Sequence, residues 1–254
     1  MNDTATILET KIALREALKT YDGDVKQQKV KEKIEQLSQL NPIVDPTHSS
    51  LLESQDWLLI SAPSFPQGEK LSNGKYAYTL GRLAFNMFEP TNLKLVIDSV
   101  RQPVVLLGEG EKRSHDIVVE FSIIDELFPP LKGIVRNLGV CYPADNQNLQ
   151  VEFTGGTLGP QKGEDLSTWK DIFGQNKSSK KGLKEQLMSV FLKLMFGLVP
   201  PQGMNTETGE ISFTMKRSPK GRLEVLYLDE EFRITKGEKG TVLVCERLAS
   251  TINN

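Results

Sequence analysis

The residue types that most often carry out chemistry are sparse in this chain. Only two histidines, His48 and His115, and two cysteines, Cys141 and Cys245, occur in the 254 residues. The sequence contains no H-E-x-x-H zinc motif, no G-x-S-x-G nucleophile motif and no phosphate-binding P-loop. A thiol of Cys141 could pair with one of the histidines, but no local sequence supports that arrangement. We therefore predict a protein that is not an enzyme and that uses neither a metal nor another cofactor.

Asp229 and Arg233 are the strongest polar candidates for a binding role. They lie on either side of a tight reversal at Asp229-Glu230, so the two side chains can approach across a hairpin. Two interpretations are open. The residues form an ion pair that fixes the hairpin, which at a surface contributes only about 0–1 kcal/mol. Alternatively, they form a polar anchor for the head group of a ligand or for a partner.

Overall charge and hydropathy exclude several classes of protein. The formal net charge is −2 and the isoelectric point is about 5.9, so no global field attracts nucleic acid or an anionic membrane. No run of 18 apolar residues exists that could span a bilayer. The N-terminus lacks a secretion signal and an Arg/Ser-rich transit peptide. We expect an intracellular protein that is not secreted and does not bind nucleic acid, and the sequence leaves its oligomeric state undetermined.

The elements that must position these residues are mainly β-strands. Between Ile211 and Cys245 four short runs alternate apolar and polar residues, and each break carries a turn signal such as Pro219-Lys220-Gly221. Consecutive strands joined by tight turns are antiparallel, and closure into a barrel removes the exposed edges of such a meander. Together with a strand at Trp57, further strands are predicted at 76–88, 93–107, 117–123, 133–142 and 149–156. Eight strands enclose an interior wide enough for one small ligand.

Helices are predicted at two places. Apolar residues at helical spacing predict two helices within 4–40, which end at Asn41-Pro42, and residues 1–48 form an N-terminal helical segment. The second domain, 49–254, contains the barrel and an insertion at 160–205. Residues 159–182 read as a polar loop. The apolar segment 183–199 reads as a helix. It could pack on the barrel, cover the barrel mouth as a lid, or lie at a membrane surface.

The C-terminal residues resemble a known family. Tyr227-Leu228-Asp229, Arg233-Ile234, Lys236-Gly237 and Gly240 with Val242-Leu243-Val244 are similar to the C-terminal signature of the plastid lipid-associated (PAP/fibrillin) family. The resemblance implies a lipocalin-like antiparallel β-barrel associated with thylakoids and lipid globules. Plant members carry transit peptides, so the resemblance implies a cyanobacterial member, cytoplasmic or peripheral at the thylakoid membrane. It also implies a role near photosynthetic membranes and in their response to stress.

The resemblance also implies functional residues. Trp57 occupies the tryptophan position of a Gly-x-Trp motif that closes a lipocalin barrel, with Gln55 in place of the glycine, and Arg247 packs over that tryptophan. The ligand would be a prenylquinone, carotenoid, fatty acid or thylakoid lipid. A slip of one residue would invert the inward face of any strand. The residues that we predict to line the cavity are Tyr76, Tyr78, Phe121, Phe153, Phe191, Met195, Phe213, Met215, Leu223, Val225 and Tyr227.

Three functions follow from this interpretation. The first is non-catalytic binding or sequestration of an apolar molecule. The second is a structural protein whose barrel is filled by side chains and which docks on a thylakoid membrane or a photosynthetic complex, with peripheral contact through the N-terminal helices or 183–199. The third is an enzyme acting on a lipid held in the barrel. The volume of the cavity would distinguish the first two.

Overall fold

The computed structural model of the chain describes residues 3–248, apart from residues 55, 64, 66–67, 73–74, 175–196, 202 and 218. Within those residues the protein is mainly β. Two α-helices precede the first strand, and two shorter ones lie between later strands. The α-helices are α1 (Asp3–Thr20), α2 (Gln28–Gln39), α3 (Leu80–Leu83) and α4 (Leu166–Phe173), and a 3₁₀ turn spans Ser50–Leu52. Both N-terminal helices confirm the sequence prediction.

After residue 56 the described residues form thirteen strands, which pair antiparallel. The strands in the first half are β1 (Trp57–Leu59), β2 (Glu69–Lys70), β3 (Tyr76–Thr79), β4 (Lys94–Arg101), β5 (Arg113–Ser114), β6 (Ile117–Ile123) and β7 (Lys132–Pro143). Those in the second half are β8 (Asn148–Pro160), β9 (Leu198–Val199), β10 (Ile211–Met215), β11 (Lys220–Leu228), β12 (Phe232–Gly237) and β13 (Val242–Arg247). The four predicted C-terminal strands are all present.

Eight of these strands close into a barrel, as the sequence predicts. Neighbours around the ring follow the order β7-β6-β4-β1-β13-β12-β11-β8, and the long pairing of β8 with β7 closes it. The remaining strands extend the wall: β3 pairs with β4, β2 with β3, β5 with β7, β10 with β8 and β9 with β10. The barrel therefore has the lipocalin-like architecture that the sequence implies.

One irregularity in β11 decides which side chains face inward. Val225 pairs with Thr235 but Tyr227 pairs with Ile234, so Leu226 is an extra residue in β11 and forms a β-bulge. An extra residue reverses the alternation of the faces. As a result Val225 and Leu228 lie on the inner face of the barrel, and Tyr227 lies on the outer face.

The N-terminal helices cover this outer face. Val30, Ile34 and Leu37 fall at helical spacing on α2 and are buried together with Leu14 and Leu18 of α1. We call the group that they form with the barrel wall the helix-side cluster. Its buried members from the wall are Tyr227, Phe232, Ile234 and Val244. Burial of this continuous apolar surface holds the helices against the barrel.

Three segments test local predictions from the sequence. Residues 94–101 form a strand, within the segment 93–107 that the sequence predicts as a strand. The predicted loop 159–182 contains helix α4, because Asp165 caps its N-terminus through the backbone N–H groups of Ser167 and Thr168. The predicted helix 183–199 lies outside the described residues up to position 196, and its last two residues belong to strand β9 instead.

None of the helices within the described residues combines the length and the apolar character that crossing a bilayer would require.

Candidate functional site

The barrel interior contains two clusters of buried side chains with different chemistry. The first, which we call the apolar cluster, brings together four of the predicted lining residues, Tyr78, Phe121, Phe213 and Met215, with Phe153 packed against it. It also includes Trp169 and Phe173 of α4, whose rings lie 4.2 Å apart. These two residues were not predicted from the sequence, although their spacing of four residues on one helix face is a recognisable signal.

The chain between β3 and β4 reaches into the apolar cluster. Leu83 and Phe88 are buried there, and the side-chain amide of Asn137 donates to the carbonyl oxygen of Leu83 at 3.0 Å. The Phe88 ring meets Phe213 edge-on at 5.5 Å. This segment therefore occupies part of the space that an eight-stranded barrel encloses.

One aromatic pair connects the apolar cluster with the surface. Phe85 has a left-handed backbone conformation, with φ of 53°, and its ring meets Phe153 edge-on at 5.8 Å. Phe85 is 43% exposed although Phe153 packs against the apolar cluster. Apolar surface that is continuous with the interior is therefore accessible from outside at this point.

The second cluster surrounds Trp57, and we call it the Trp57 cluster. The Trp57 indole is fully buried and donates to the carbonyl oxygen of Leu52 at 2.8 Å. The Arg247 guanidinium lies 4.5 Å from the indole ring, as predicted, and donates to the carbonyl oxygens of Glu53 and Leu51. The predicted lining residue Val225 belongs to this cluster, and Leu223 packs against it.

A second guanidinium lies beside the same indole. Arg233 is only 3% exposed, and its guanidinium is 5.1 Å from the Trp57 ring. It donates to the side-chain oxygen of Gln102, which is itself 3% exposed, and more weakly to the Cys245 sulfur at 3.8 Å. Arg233 therefore lies inside the barrel, not at a hairpin surface. The sequence offered no signal for this depth because arginine is usually exposed.

The predicted pairing of Asp229 with Arg233 is wrong. Asp229 accepts hydrogen bonds from Lys11 at 2.9 Å and from the Tyr227 hydroxyl at 2.6 Å, both on the helix side of the wall. Arg233 faces the interior, because it pairs with Leu228 on the inner face. The prediction that Tyr227 lines the cavity is also wrong, and the β-bulge at Leu226 is the reason. Tyr227 belongs to the helix-side cluster.

Other predicted lining residues are not in the interior clusters. Tyr76 is 40% exposed, and its ring centre lies 6.5 Å from that of Tyr78. Phe191 and Met195 lie outside the described residues. Most of the buried residues of the apolar cluster and the Trp57 cluster lie on strands.

Titration of the interior groups is governed by burial and by Arg233. Burial, with a smaller contribution from the Arg233 charge, lowers the pKa of His115 to about 4, so this imidazole is neutral at neutral pH. Burial raises the pKa of the Cys141 thiol to about 11, although the charges of Arg233 and Arg113 act in the other direction. A thiol with this pKa is a weak nucleophile near pH 7. Both cysteines are free, and no cluster of metal-ligating side chains occurs among the described residues.

Fold and site together define a lipocalin-like barrel whose interior contains an apolar cluster and a buried tryptophan with two arginines beside it. The PAP_fibrillin family model matches residues 7–246, nearly the whole chain, and the chain belongs to this family. PAP/fibrillin proteins are plastid lipid-associated proteins and are generally non-enzymatic. Comparison of the chain with curated proteins and with solved structures gives no significant match.

Proposed function

We propose that the protein binds an apolar small molecule without catalysis, and that the ligand contacts the apolar cluster through the surface at Phe85 and Phe153. The observation that carries the proposal is the 43% exposure of Phe85 beside Phe153, which packs on the cluster. Removal of apolar surface from water stabilises such a complex by roughly 25 cal/mol per Å². The family's association with lipids supports this function.

The ligand class that fits is a prenylquinone, a carotenoid, a fatty acid or another thylakoid lipid, held at or near photosynthetic membranes. Each combines a long apolar part with a small polar end. Aromatic side chains such as Phe153, Phe213 and Tyr78 provide large and rigid apolar contact area, and a few polar groups suffice to orient such a ligand.

Native mass spectrometry of the full chain after incubation with total thylakoid lipid, followed by organic extraction, tests this function. We expect one apolar molecule per chain, and we expect Phe85→Asp to lose it because a carboxylate would lie against Phe153. The matched control is Leu127→Asp, at a residue that is 87% exposed in the connection between β6 and β7. If no apolar molecule binds to the wild-type chain, or if both variants keep it equally, the proposal is refuted.

A second function is docking on a thylakoid membrane or a photosynthetic complex, and the outer surface of α1 favours it. Leu8 and Ile12 are four residues apart on one helix face and are 52% and 46% exposed. Co-sedimentation with thylakoid membranes tests this function. Replacement of both residues by serine should release the protein to the supernatant. Unchanged sedimentation of this variant would exclude α1 as the docking surface.

A further inference from the structure

The polar side chains inside the barrel differ in the hydrogen-bond partners that they have among the described residues. Three arginines lie around the Trp57 cluster, and two of them have strong acceptors. Arg113 is buried and pairs with the Glu53 carboxylate at 3.2 Å, and Arg247 donates to two backbone carbonyl oxygens. Among the described residues, Arg233 has only the Gln102 amide oxygen and the Cys245 sulfur as acceptors. Within the part of the chain that the structure describes, its Nε has no hydrogen-bond partner. The Nε of Arg247 has none either, but both of its terminal nitrogens donate to carbonyl oxygens.

A buried guanidinium without a carboxylate is costly for a protein. Arginine carries five N–H donors and remains charged at all ordinary pH values, so it cannot relieve its burial by losing a proton. Moving an isolated charge into an apolar interior costs more hydration free energy than hydrogen bonds to one amide and one thiol can offset. Across the described residues, no carboxylate lies within ion-pair distance of Arg233, whereas Lys11, another buried cation, has two.

The groups around Arg233 leave its charge uncancelled. Its positive charge lowers the pKa of His115 and also opposes the burial that raises the pKa values of the Cys141 and Cys245 thiols. His115 is neutral and both thiols are protonated near pH 7, so none of the three supplies a negative charge. The hydroxyl of Thr235, on the same inner face of β12 as Arg233, is buried and has no partner among the described residues. The surroundings therefore combine the uncancelled charge of Arg233, beside that of Arg247, with a hydroxyl that has no partner among the described residues.

These groups lie next to the apolar interior. Leu59 packs against both the apolar cluster and the Trp57 cluster, so the two clusters are neighbours. Asn137, whose side-chain oxygen is also buried without a partner among the described residues, reaches the apolar cluster through Leu83. The apolar cluster and the polar groups around Arg233 are therefore adjacent parts of one interior.

We propose that Arg233 binds the carboxylate of a single-chain amphiphile whose apolar chain lies in the apolar cluster, so that the preferred ligand is an anionic acyl compound rather than a neutral prenylquinone or carotenoid. This inference rests on the proposed function and narrows its ligand class. A carboxylate accepts two parallel hydrogen bonds from a guanidinium, which would use the unpartnered Nε–H of Arg233. The hydroxyl of Thr235 supplies a further donor on the same face of β12.

Competition binding with the full chain tests this inference. The probe is 11-(dansylamino)undecanoic acid, whose emission shifts when it enters an apolar site, and the competitors are dodecanoic acid, 1-dodecanol and acetate. The acid and the alcohol share one chain and differ in the head group. We expect dodecanoic acid to displace the probe at a concentration about tenfold or more below that of 1-dodecanol, and acetate to be ineffective.

The variant Arg233→Gln removes the charge and keeps hydrogen-bonding groups. In this variant the concentrations of dodecanoic acid and 1-dodecanol that displace the probe should be nearly equal, so that their ratio is close to one. Arg233→Lys should restore part of the preference for the acid. The matched control is Arg101→Gln, because Arg101 is a partly exposed arginine on the barrel wall that pairs with Asp56 and Glu120. This variant should keep the ratio. Circular dichroism of each variant confirms that the barrel is folded.

The outcomes separate the two proposals. If the acid and the alcohol bind equally to the wild-type chain, or if Arg233→Gln leaves the ratio unchanged, the carboxylate site is refuted while binding of an apolar ligand stands. If acetate competes as well as dodecanoic acid, the site binds small anions and the amphiphile is refuted. If neither the probe nor the alcohol binds, the proposed function itself fails.

Discussion

The two faces of β12 show opposite consequences of burial. The outer face presents Phe232 and Ile234 to α1 and α2, and a buried cation at this interface, Lys11, has two carboxylate partners. The inner face presents Arg233 and Thr235, and each has a buried polar atom without a partner among the described residues. A buried polar group without a partner costs about 1–3 kcal/mol. The outer face therefore stabilises the fold, whereas the inner face gives up stability at the proposed binding site.

The largest expected effect comes from the outer face. Phe232 is fully buried, and its ring lies 4.6 Å from the Arg15 guanidinium and 5.6 Å from the Lys11 ammonium. Phe232→Ala should lower the free energy of unfolding by about 3–5 kcal/mol, because the residual cavity adds to the lost burial. Urea unfolding measures this loss. A loss below about 1 kcal/mol would show that the helix-side cluster does not hold the fold.

The next effect concerns the ionic contact that joins α1 to the barrel. Asp229 accepts hydrogen bonds from Tyr227, from Lys11 and from the backbone N–H groups of Phe232 and Glu231. Asp229→Asn should destabilise the fold by about 2 kcal/mol at pH 7, since bonds to a charged acceptor are the stronger kind. Urea unfolding of both chains at pH 7 gives the difference, and equal midpoints would contradict it.

The stability difference between the wild-type protein and Asp229→Asn should also depend on pH. Burial acts to raise the pKa of Asp229, but the hydrogen bonds that it accepts outweigh burial and hold this pKa below its usual value of 3.8. A carboxylate with a lowered pKa stabilises the folded state above its unfolded pKa, and this contribution is lost as the pH falls through the folded pKa. The difference between wild type and Asp229→Asn should therefore be complete at pH 7 and shrink below about pH 4. A difference that does not change with pH would contradict this assignment.

The inner face should respond in the opposite direction. Thr235 is 1% exposed, and its hydroxyl has no partner among the described residues. Thr235→Val keeps the shape and removes the hydroxyl, so it should raise the free energy of unfolding by about 1 kcal/mol. The matched control is Thr241→Val, at an exposed threonine in the turn between β12 and β13. Thermal unfolding compares them, and a destabilised Thr235→Val would show that the hydroxyl has a partner in solution.

The smallest effect on stability is expected at a partly exposed arginine on the outer wall of the barrel. Arg101 pairs with Asp56 at 3.3 Å and with Glu120 at 2.5 Å, but its side chain is 36% exposed. Arg101→Gln should change the free energy of unfolding by less than about 1 kcal/mol, because solvent screens such pairs. A larger change in urea unfolding would mean that charged pairs, and not the contrast between the faces of β12, dominate the stability.

Much of the fold followed from the sequence. Alternation with a period of two identified the four C-terminal strands, and runs of apolar, β-branched and aromatic residues identified most of the others. The spacing of apolar residues identified α1 and α2. Trp57 and Arg247 were recognised as a contacting pair from a resemblance alone, and their separation of 4.5 Å agrees with it. Helix α4 was not recognised, because its eight residues lie in a polar segment and only Trp169 and Phe173 signal a buried face.

The sequence by itself therefore determined the strands, the N-terminal helices and the family. Only the tertiary structure decided which face of each strand is inside. Alternation defines two faces but not their direction, and the helix-side cluster took the more apolar face of β12, which left Arg233 and Thr235 to the interior. The bulge at Leu226 then moved Tyr227 outward while Val225 stayed inside. Both outcomes depend on contacts between residues distant in the chain, which no local pattern encodes.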